Sequence, residues 1–205
     1  MVTSGQQLVD TLVEKGVLYS PELISAFRTV DRRGFVLTEE REQAYVDEAL
    51  PIGFGQTISQ PFTVAFMLEL LAPQRGERVL DVGSGSGWTT ALLAEVVGEK
   101  GRVWGVERMP GLVAFGRENL RKYDYPQAQI LPAGTELGLP AEAPFQKILV
   151  SAAADSLPTT LTNQLAPSGV MVIPIGRAIW RITKSATNEL EQEKYEGFVF
   201  VPLVS

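Results

Sequence analysis

Asp81-Val82-Gly83-Ser84-Gly85-Ser86-Gly87 is the stretch whose residue types and spacing can do chemistry. It follows the apolar pair Val79-Leu80 and precedes a helix expected from Trp88 to Val97. A buried strand, a glycine turn and a helix in succession bring helix N-terminal N–H groups and a close-approaching backbone to one spot. That spot suits a nucleotide or nucleoside. The glycines fall at 83, 85 and 87, whereas a G-x-G-x-x-G dinucleotide fingerprint needs its third glycine at 88, where Trp88 stands. Glu107 ends the next apolar run, Val103-Trp104-Gly105-Val106. From there a carboxylate can accept hydrogen bonds from both hydroxyls of a ribose. The alternative is an ordinary strand-to-helix turn followed by a terminal glutamate; loop and acid together favour nucleoside binding.

The elements around this stretch must present it. From residue 77 onward, strands and helices alternate. Strands are expected at 78–82, 102–107, 127–131, 146–151, 169–175, 178–184 and 196–202, and helices at 88–97, 110–123 and 157–165. Alternation implies a mainly parallel sheet covered by helices on both faces. Ser185-Ala186-Thr187-Asn188-Glu189 reads as a hairpin joining the last two strands and adding an antiparallel edge. Ligands of such sheets bind outside the carboxyl ends of the strands. Gly83 to Gly87, Glu107, Gly134 and Ser151 to Ala154 all follow expected strands, so they should converge there.

Residues 4 to about 50 read mainly as helices. Ser20-Pro21-Glu22 is a helix-start signal with Ser20 as cap, and Ile24, Phe27 and Val30 recur at helical spacing. Arg32, Arg33, Glu39, Glu40, Arg41 and Glu42 form a mixed-charge stretch expected to be a solvated surface. Residues 51–60 read as a structured loop. Pro61 then opens an apolar helix that Ala72-Pro73 ends.

The composition narrows the chemistry. The 205 residues suit one domain with a substantial core. We expect a single unit over 1–205, with N-terminal helices and a substrate loop in 1–76 and the sheet core in 77–205. A formal net charge of −6 disfavours a nucleic-acid substrate, because tracking phosphates needs a basic excess. The chain has no cysteine and no histidine. Disulfides, thiolate or imidazole metal sites, cysteine nucleophiles and Ser-His-Asp triads are therefore excluded within it. The start lacks a basic n-region and an apolar h-region, and no stretch is long enough to span a membrane. The expectation is a cytoplasmic protein, with no metal, no membrane and no nucleic-acid partner.

The G-x-G-x-G loop resembles the cofactor loop of S-adenosylmethionine-dependent methyltransferases, whose Rossmann-like fold carries a mainly parallel seven-stranded sheet, here with an N-terminal helical extension. Ala49-Leu50-Pro51-Ile52-Gly53-Phe54-Gly55-Gln56-Thr57-Ile58-Ser59-Gln60-Pro61 resembles protein-L-isoaspartate O-methyltransferase closely, and other methyltransferases lack that loop. Val79 to Trp88, Val106-Glu107-Arg108, Arg32-Arg33-Gly34-Phe35-Val36 and the ending Phe200-Val201-Pro202-Leu203-Val204 also fit, so the resemblance spans nearly the whole chain. It implies methyl transfer from S-adenosylmethionine to the α-carboxylate of an L-isoaspartyl residue in a damaged protein or peptide. The ester then cyclises to a succinimide that hydrolyses partly to normal aspartate. It implies Ser59 as the active-site residue, with Pro51, Ile52, Gln56 and Thr57 also meeting substrate. Gly83, Ser84, Gly85, Ser86, Glu107, Arg108, Ala133 and Gly134 are the implied cofactor residues, and a monomer is expected. Ser59 can alternatively be a helix cap before Pro61.

The chemistry agrees with the residues available. A carboxylic acid has a pKa of about 4 and is already ionised at neutral pH, so it needs no general base. Rival methyltransferase readings fit less well. Families that methylate base amino groups often carry Asn/Asp-Pro-Pro-aromatic where this chain has Ser151-Ala152-Ala153-Ala154, and cytosine C5 methylation needs a cysteine. The chain also departs from the isoaspartyl family. Pro132-Ala133-Gly134 stands where that family usually has Gly-Asp-Gly, whose Asp accepts from the adenine amino group. Glu136 or Thr135 is a candidate substitute. Gln146 replaces a usual Asp, and Ala154 a frequent Pro. These departures mark a divergent member. They leave open a non-catalytic cofactor- and peptide-binding module, or a methyltransferase for another carboxylate.

Overall fold

The computed structural model describes residues 2–203; Val204 of the family-like ending lies outside the described residues. In chain order the elements are α1 (Gly5–Glu14), α2 (Pro21–Thr29), β1 (Leu50–Gly53), β2 (Gln56–Ile58), α3 (Pro61–Leu71), β3 (Arg78–Val82), α4 (Trp88–Val97) and β4 (Arg102–Glu107). They continue as α5 (Pro110–Leu120), β5 (Ala128–Pro132), β6 (Phe145–Val150), α6 (Thr159–Gln164), β7 (Leu165–Ile175), β8 (Ala178–Lys184) and β9 (Leu190–Glu196). Short 3-10 turns cover Arg32–Phe35, Thr38–Gln43 and Pro140–Glu142.

The seven-stranded sheet runs in the order β5-β4-β3-β6-β7-β8-β9. The pairs from β5 through β7 are parallel, and β8 is antiparallel to both β7 and β9. The strand order reverses at β3, whose neighbours are β4 and β6. That reversal opens a crevice at the carboxyl ends of β3 and β6, where the two crossovers leave in opposite directions. The helices divide unevenly. Val79, Val103, Leu149, Val172 and Ile179 face a core shared with α1 to α5. Leu80, Trp104, Ile148, Met171 and Ile173 face a smaller core closed by Leu161 of α6 and by apolar residues of 137–143. Helix α3 packs on β6, β7 and β8 and also against α1 and α2. That two-sided burial is why its sequence is apolar all round rather than on one stripe.

Three expectations need correction. Residues 51–60 are a β-hairpin rather than a loop: β1 and β2 pair antiparallel, Leu50 opposite Ile58 and Pro51 opposite Thr57. The last strand is 190–196, not 196–202. The Ser185–Glu189 turn reverses the chain at once, with Ser185 Oγ accepting from the N–H groups of Thr187 and Glu189, so the charged residues that follow pair with β8. An edge strand tolerates exposed charge, and periodicity alone favoured the wrong, apolar run. The run after it turns at Gly197 (φ +98°) and crosses to the loop after β6, where Ala153 N–H donates to Val201 O and Leu203 N–H to Ala153 O.

The third correction concerns Ser20. It stands at the N-cap of α2, but its side chain makes no cap bond. Its hydroxyl donates to Glu69 of α3 (2.5 Å), whose carboxylate also accepts from Tyr19 N–H (2.7 Å) and Ser20 N–H (2.8 Å). Glu69 is buried and ties the start of α2 to α3. Hydrogen bonds to a charged group are worth about 1.5–3 kcal/mol each, and truncation strands two N–H donors. Glu69→Ala should therefore lower the urea-unfolding free energy by about 3 kcal/mol, with Glu69→Gln costing less. A loss below about 1 kcal/mol would show that water satisfies those donors instead.

Candidate functional site

Both β3 and α4 are buried, so the five residues between them must turn tightly. Gly87 is the N-cap of α4 at φ +87°, and a Cβ there would sit 3.1 Å from Gly116 O and 2.9 Å from Ile130 Cδ1. Glycine is thus required both by backbone conformation and by the close approach of α5. The N–H groups of the turn find partners on β4: Gly83 and Ser84 donate to Val106 O, at 2.8 and 3.2 Å. Gly85 N–H donates to Glu107 Oε2 (3.0 Å), and Met109 N–H donates to Oε1 (2.9 Å). Two backbone donors thereby hold the Glu107 carboxylate still while each oxygen keeps a further lone pair free.

Above this turn lies a cavity of about 380 Å³, within the roughly 300–1,000 Å³ of small-molecule sites. Gly83, Ser84, Gly85, Ser86 and Trp88 line it from the turn, and Glu107, Arg108, Met109 and Leu112 from the end of β4 and the start of α5. Residues 133–138 contribute Ala133, Gly134, Thr135 and Glu136, and the hairpin contributes Ile52, Gln56, Thr57, Ile58 and Ser59. Ser151 and Ala152 line it after β6. Every expected site residue except Pro51 therefore meets at one cavity. Pro51 is exposed because strand alternation that buries Leu50 and Ile52 turns it outward. Of the wider set expected to converge, Gly87, Ala153 and Ala154 stand behind the lining.

The residues present fit a polar nucleoside cofactor. Ser84 is 4% exposed, lines the cavity, and its hydroxyl has no hydrogen-bond partner among the described residues. The Glu107 carboxylate, held by two backbone N–H groups at the cavity wall, is an acceptor suited to the hydroxyls of a nucleoside. The Ala133 side chain has no acceptor, and its N–H donates to Glu107 O (2.8 Å). Thr135 and Glu136 line the same wall. The other two departures lie off the site. Gln146 Oε1 accepts from Arg78 N–H (2.8 Å) at the opposite end of the sheet. Ala154 N–H donates to Pro174 O (3.0 Å), a bond proline could not make.

Ser59 is not the helix cap. Gln60 occupies the N-cap of α3, and Phe62 N–H is taken by Asp47 Oδ1 (2.8 Å). Ser59 lines the cavity, and its carbonyl accepts from Arg32 (3.1 Å). Arg32 itself overturns the solvated-surface expectation for its stretch: it is 2% exposed. Sequence reasoning also left out Val201, Pro202 and Leu203, which line the cavity because the C-terminal segment crosses to Ala153. Their apolar character read as a strand, and no local signal marks such a crossing. Asp81 heads the glycine motif. It is fully buried beneath the turn, and its Oδ2 accepts from Thr89 and Thr90 hydroxyls, both at 2.7 Å.

Comparisons with known proteins point to one family. The family model described as "Protein-L-isoaspartate(D-aspartate) O-methyltransferase (PCMT)" matches residues 3–205. A protein-L-isoaspartate O-methyltransferase of Methanopyrus kandleri is 43% identical over 204 residues, covering 97% of this chain and 90% of its own. One of Aeropyrum pernix is 44% identical over 203 residues, covering 97% and 78%. A crystal structure from Plasmodium falciparum, assigned as a protein-L-isoaspartate O-methyltransferase in complex with S-adenosyl-L-homocysteine, superposes with a TM-score of 0.88. It is 27% identical and covers 99% of each chain.

Asp81 yields a pH prediction. Burial pushes its carboxyl from 3.8 up to about 6, the threonine hydroxyls oppose that rise, and Glu107 adds to it. The folded chain then holds this proton to higher pH than the unfolded chain does. Asp81's contribution to stability is most favourable at low pH and is lost as pH rises through about 6. Asp81→Asn keeps an acceptor for both threonines without the charge. Its Tm relative to wild type should rise between about pH 4 and about pH 7 and then level off. A constant difference across that range would mean that the carboxyl titrates as if solvated.

Proposed function

The chain belongs to the protein-L-isoaspartate(D-aspartate) O-methyltransferase family, and from that premise we propose how its residues share the reaction. The protein transfers the methyl of S-adenosylmethionine to the α-carboxylate of an L-isoaspartyl residue, which initiates repair. The observation that carries the reading is one cavity with the Thr57-Ile58-Ser59 segment on one wall and the glycine turn with Glu107 on another.

Glu107 accepts from the ribose hydroxyls, while Ser84, Ser86 and the backbone of Gly83 and Gly85 hold the rest of the cofactor. Arg108, Ala133 and Gly134 close the adenosine side. When bound, S-adenosylmethionine supplies an electrophilic methyl on a positive sulfonium. Ser59 orients the substrate carboxylate by donating a hydrogen bond, assisted by Gln56 and Thr57, and Ile52 packs over Gly85 to keep water out. No side chain moves a proton, because the nucleophile arrives ionised; a chain without histidine and cysteine suffices. Positioning alone can supply about 7–11 kcal/mol. Carboxylate and sulfonium charges partly cancel in the transition state, so a dry site favours it. The reading carries with it a cytoplasmic monomer acting on proteins or peptides rather than on nucleic acid or membranes, in keeping with the net charge of −6.

An isoaspartyl residue puts an extra methylene in the main chain and leaves its α-carboxylate as the branch. A wall that holds both backbone and carboxylate separates it from aspartate by position, since misplacement by about 1 Å can cost about a hundredfold. Labelled methyl should therefore enter an isoaspartyl peptide and pass over its aspartyl twin. Ser59→Ala should lower turnover with cofactor affinity nearly intact. Equal labelling of the twins would overturn the repair reading, and full activity in Ser59→Ala would remove Ser59 from it.

The cofactor side has its own test. Glu107→Ala should weaken S-adenosylhomocysteine binding by about 1.5–3 kcal/mol, the scale of a hydrogen bond to a charge. Ala133→Asp should tighten it if an adenine contact is missing. Unchanged or weaker binding in calorimetry would assign that contact to another group, with Glu136→Gln as the check.

A further inference from the structure

Arg32 touches neither the expected cofactor residues' polar atoms nor any carboxylate among the described ion pairs, yet it is almost wholly buried. Its Nη1 donates to Ala44 O (2.6 Å) and Val46 O (3.3 Å). Its Nη2 donates to Glu48 O (2.9 Å) and Ser59 O (3.1 Å). The guanidinium lies 5.4 Å from the ring centroid of Trp88, the first residue of α4. Burial lowers its pKa to about 10, and Asp47 opposes that fall. A buried guanidinium is costly unless its donors are satisfied, and here backbone carbonyls do most of that work.

The placement of those carbonyls matters. Glu48 precedes β1 and Ser59 follows β2, so one nitrogen joins the two ends of the hairpin that forms a wall of the cavity. The hairpin tip rests elsewhere: a Cβ on Gly111 of α5 would fall 2.1 Å from the Phe54 ring. With the tip on α5 and the base on Arg32, the segment between them has little freedom to tilt. Lysine cannot replace this, because a single ammonium does not span four carbonyls in a planar fork.

We propose that Arg32 is a positioning residue for methyl transfer, which sets the place of Ser59 over the cavity by clamping the carbonyls of Glu48 and Ser59. The proposal rests on the role given to Ser59 above. It acts through the backbone, so its effect should fall on turnover rather than on cofactor binding.

Arg32→Lys and Arg32→Met test it with three readouts: S-adenosylhomocysteine affinity, kcat and KM for an isoaspartyl peptide, and hydrogen exchange at the amides of residues 56–58. In Arg32→Lys, kcat should fall about a hundredfold, the scale of a 1 Å misplacement, with cofactor affinity nearly unchanged. Arg32→Met should fall further, so that lysine counts as a partial rescue. Exchange should quicken in β2 and not in β3 or β4. Wild-type kcat in Arg32→Lys would overturn the proposal. So would loss of cofactor binding in step with turnover, which assigns Arg32 to the fold alone. If the wild-type protein methylates no isoaspartyl peptide, the functional reading fails instead. Exchange then still decides the clamp, and unchanged protection at 56–58 overturns it.

Discussion

The chain must pass from a buried strand into a buried helix within five residues, and the rest of the site depends on how it does so. No side chain fits at Gly87, the last residue between β3 and α4, because α5 approaches the turn at Gly116 and the side chain of Ile130 reaches in. A turn of small residues leaves backbone N–H groups without helical partners. The end of β4 supplies those partners, a carbonyl from Val106 and a carboxylate from Glu107. The acid that faces the cavity is therefore also a brace of the turn. Its height and orientation are set by the same bonds that close the loop, so the shape of the cavity wall and the local folding are one constraint.

A second brace joins the N-terminal layer to this core. Trp88 begins α4, packs edge-on against Phe27 of α2 at 5.6 Å, and receives the Arg32 guanidinium on its face. The position that would be glycine in a dinucleotide-binding loop is here an aromatic anchor. Through it the hairpin, the N-terminal helices and the glycine turn share one point of contact. A reaction that needs no proton transfer from the protein asks for this kind of site. Its catalytic power lies in placement and in exclusion of water, and both come from rigid packing around a small number of polar groups.

Much of this was legible in the sequence. The bounds of β3, α4, β4 and β8 follow from apolar runs and glycine punctuation, because these elements are largely buried. Alternation of strands and helices places the ligand at the carboxyl ends of the sheet, and the residues after β3, β4, β5 and β6 do meet at one cavity. Where local pattern and pairing disagreed, pairing won. The last strand was expected at 196–202, yet the turn at Asn188 (φ +67°) delivers the charged run Leu190 to Glu196 to the edge of β8. Pro51 belonged to the right loop and faced the wrong way, because a hairpin imposes alternation that a loop does not.

Residue types by themselves excluded histidine and cysteine chemistry and marked a nucleoside site by a glycine turn with a following acid, while the carboxylate substrate followed from the resemblance of residues 49–61 to the isoaspartyl family. Those are properties of short segments, and short segments can be read along the chain. Only the tertiary structure decided that Arg32 is buried rather than solvated, that Ser20 bonds Glu69 rather than its own helix, and that Val201 to Leu203 complete the cavity. Each depends on a partner distant in sequence. A charged or polar residue carries no local mark of whether water or a remote group will satisfy it. That choice is made by packing, because it is packing that removes the water.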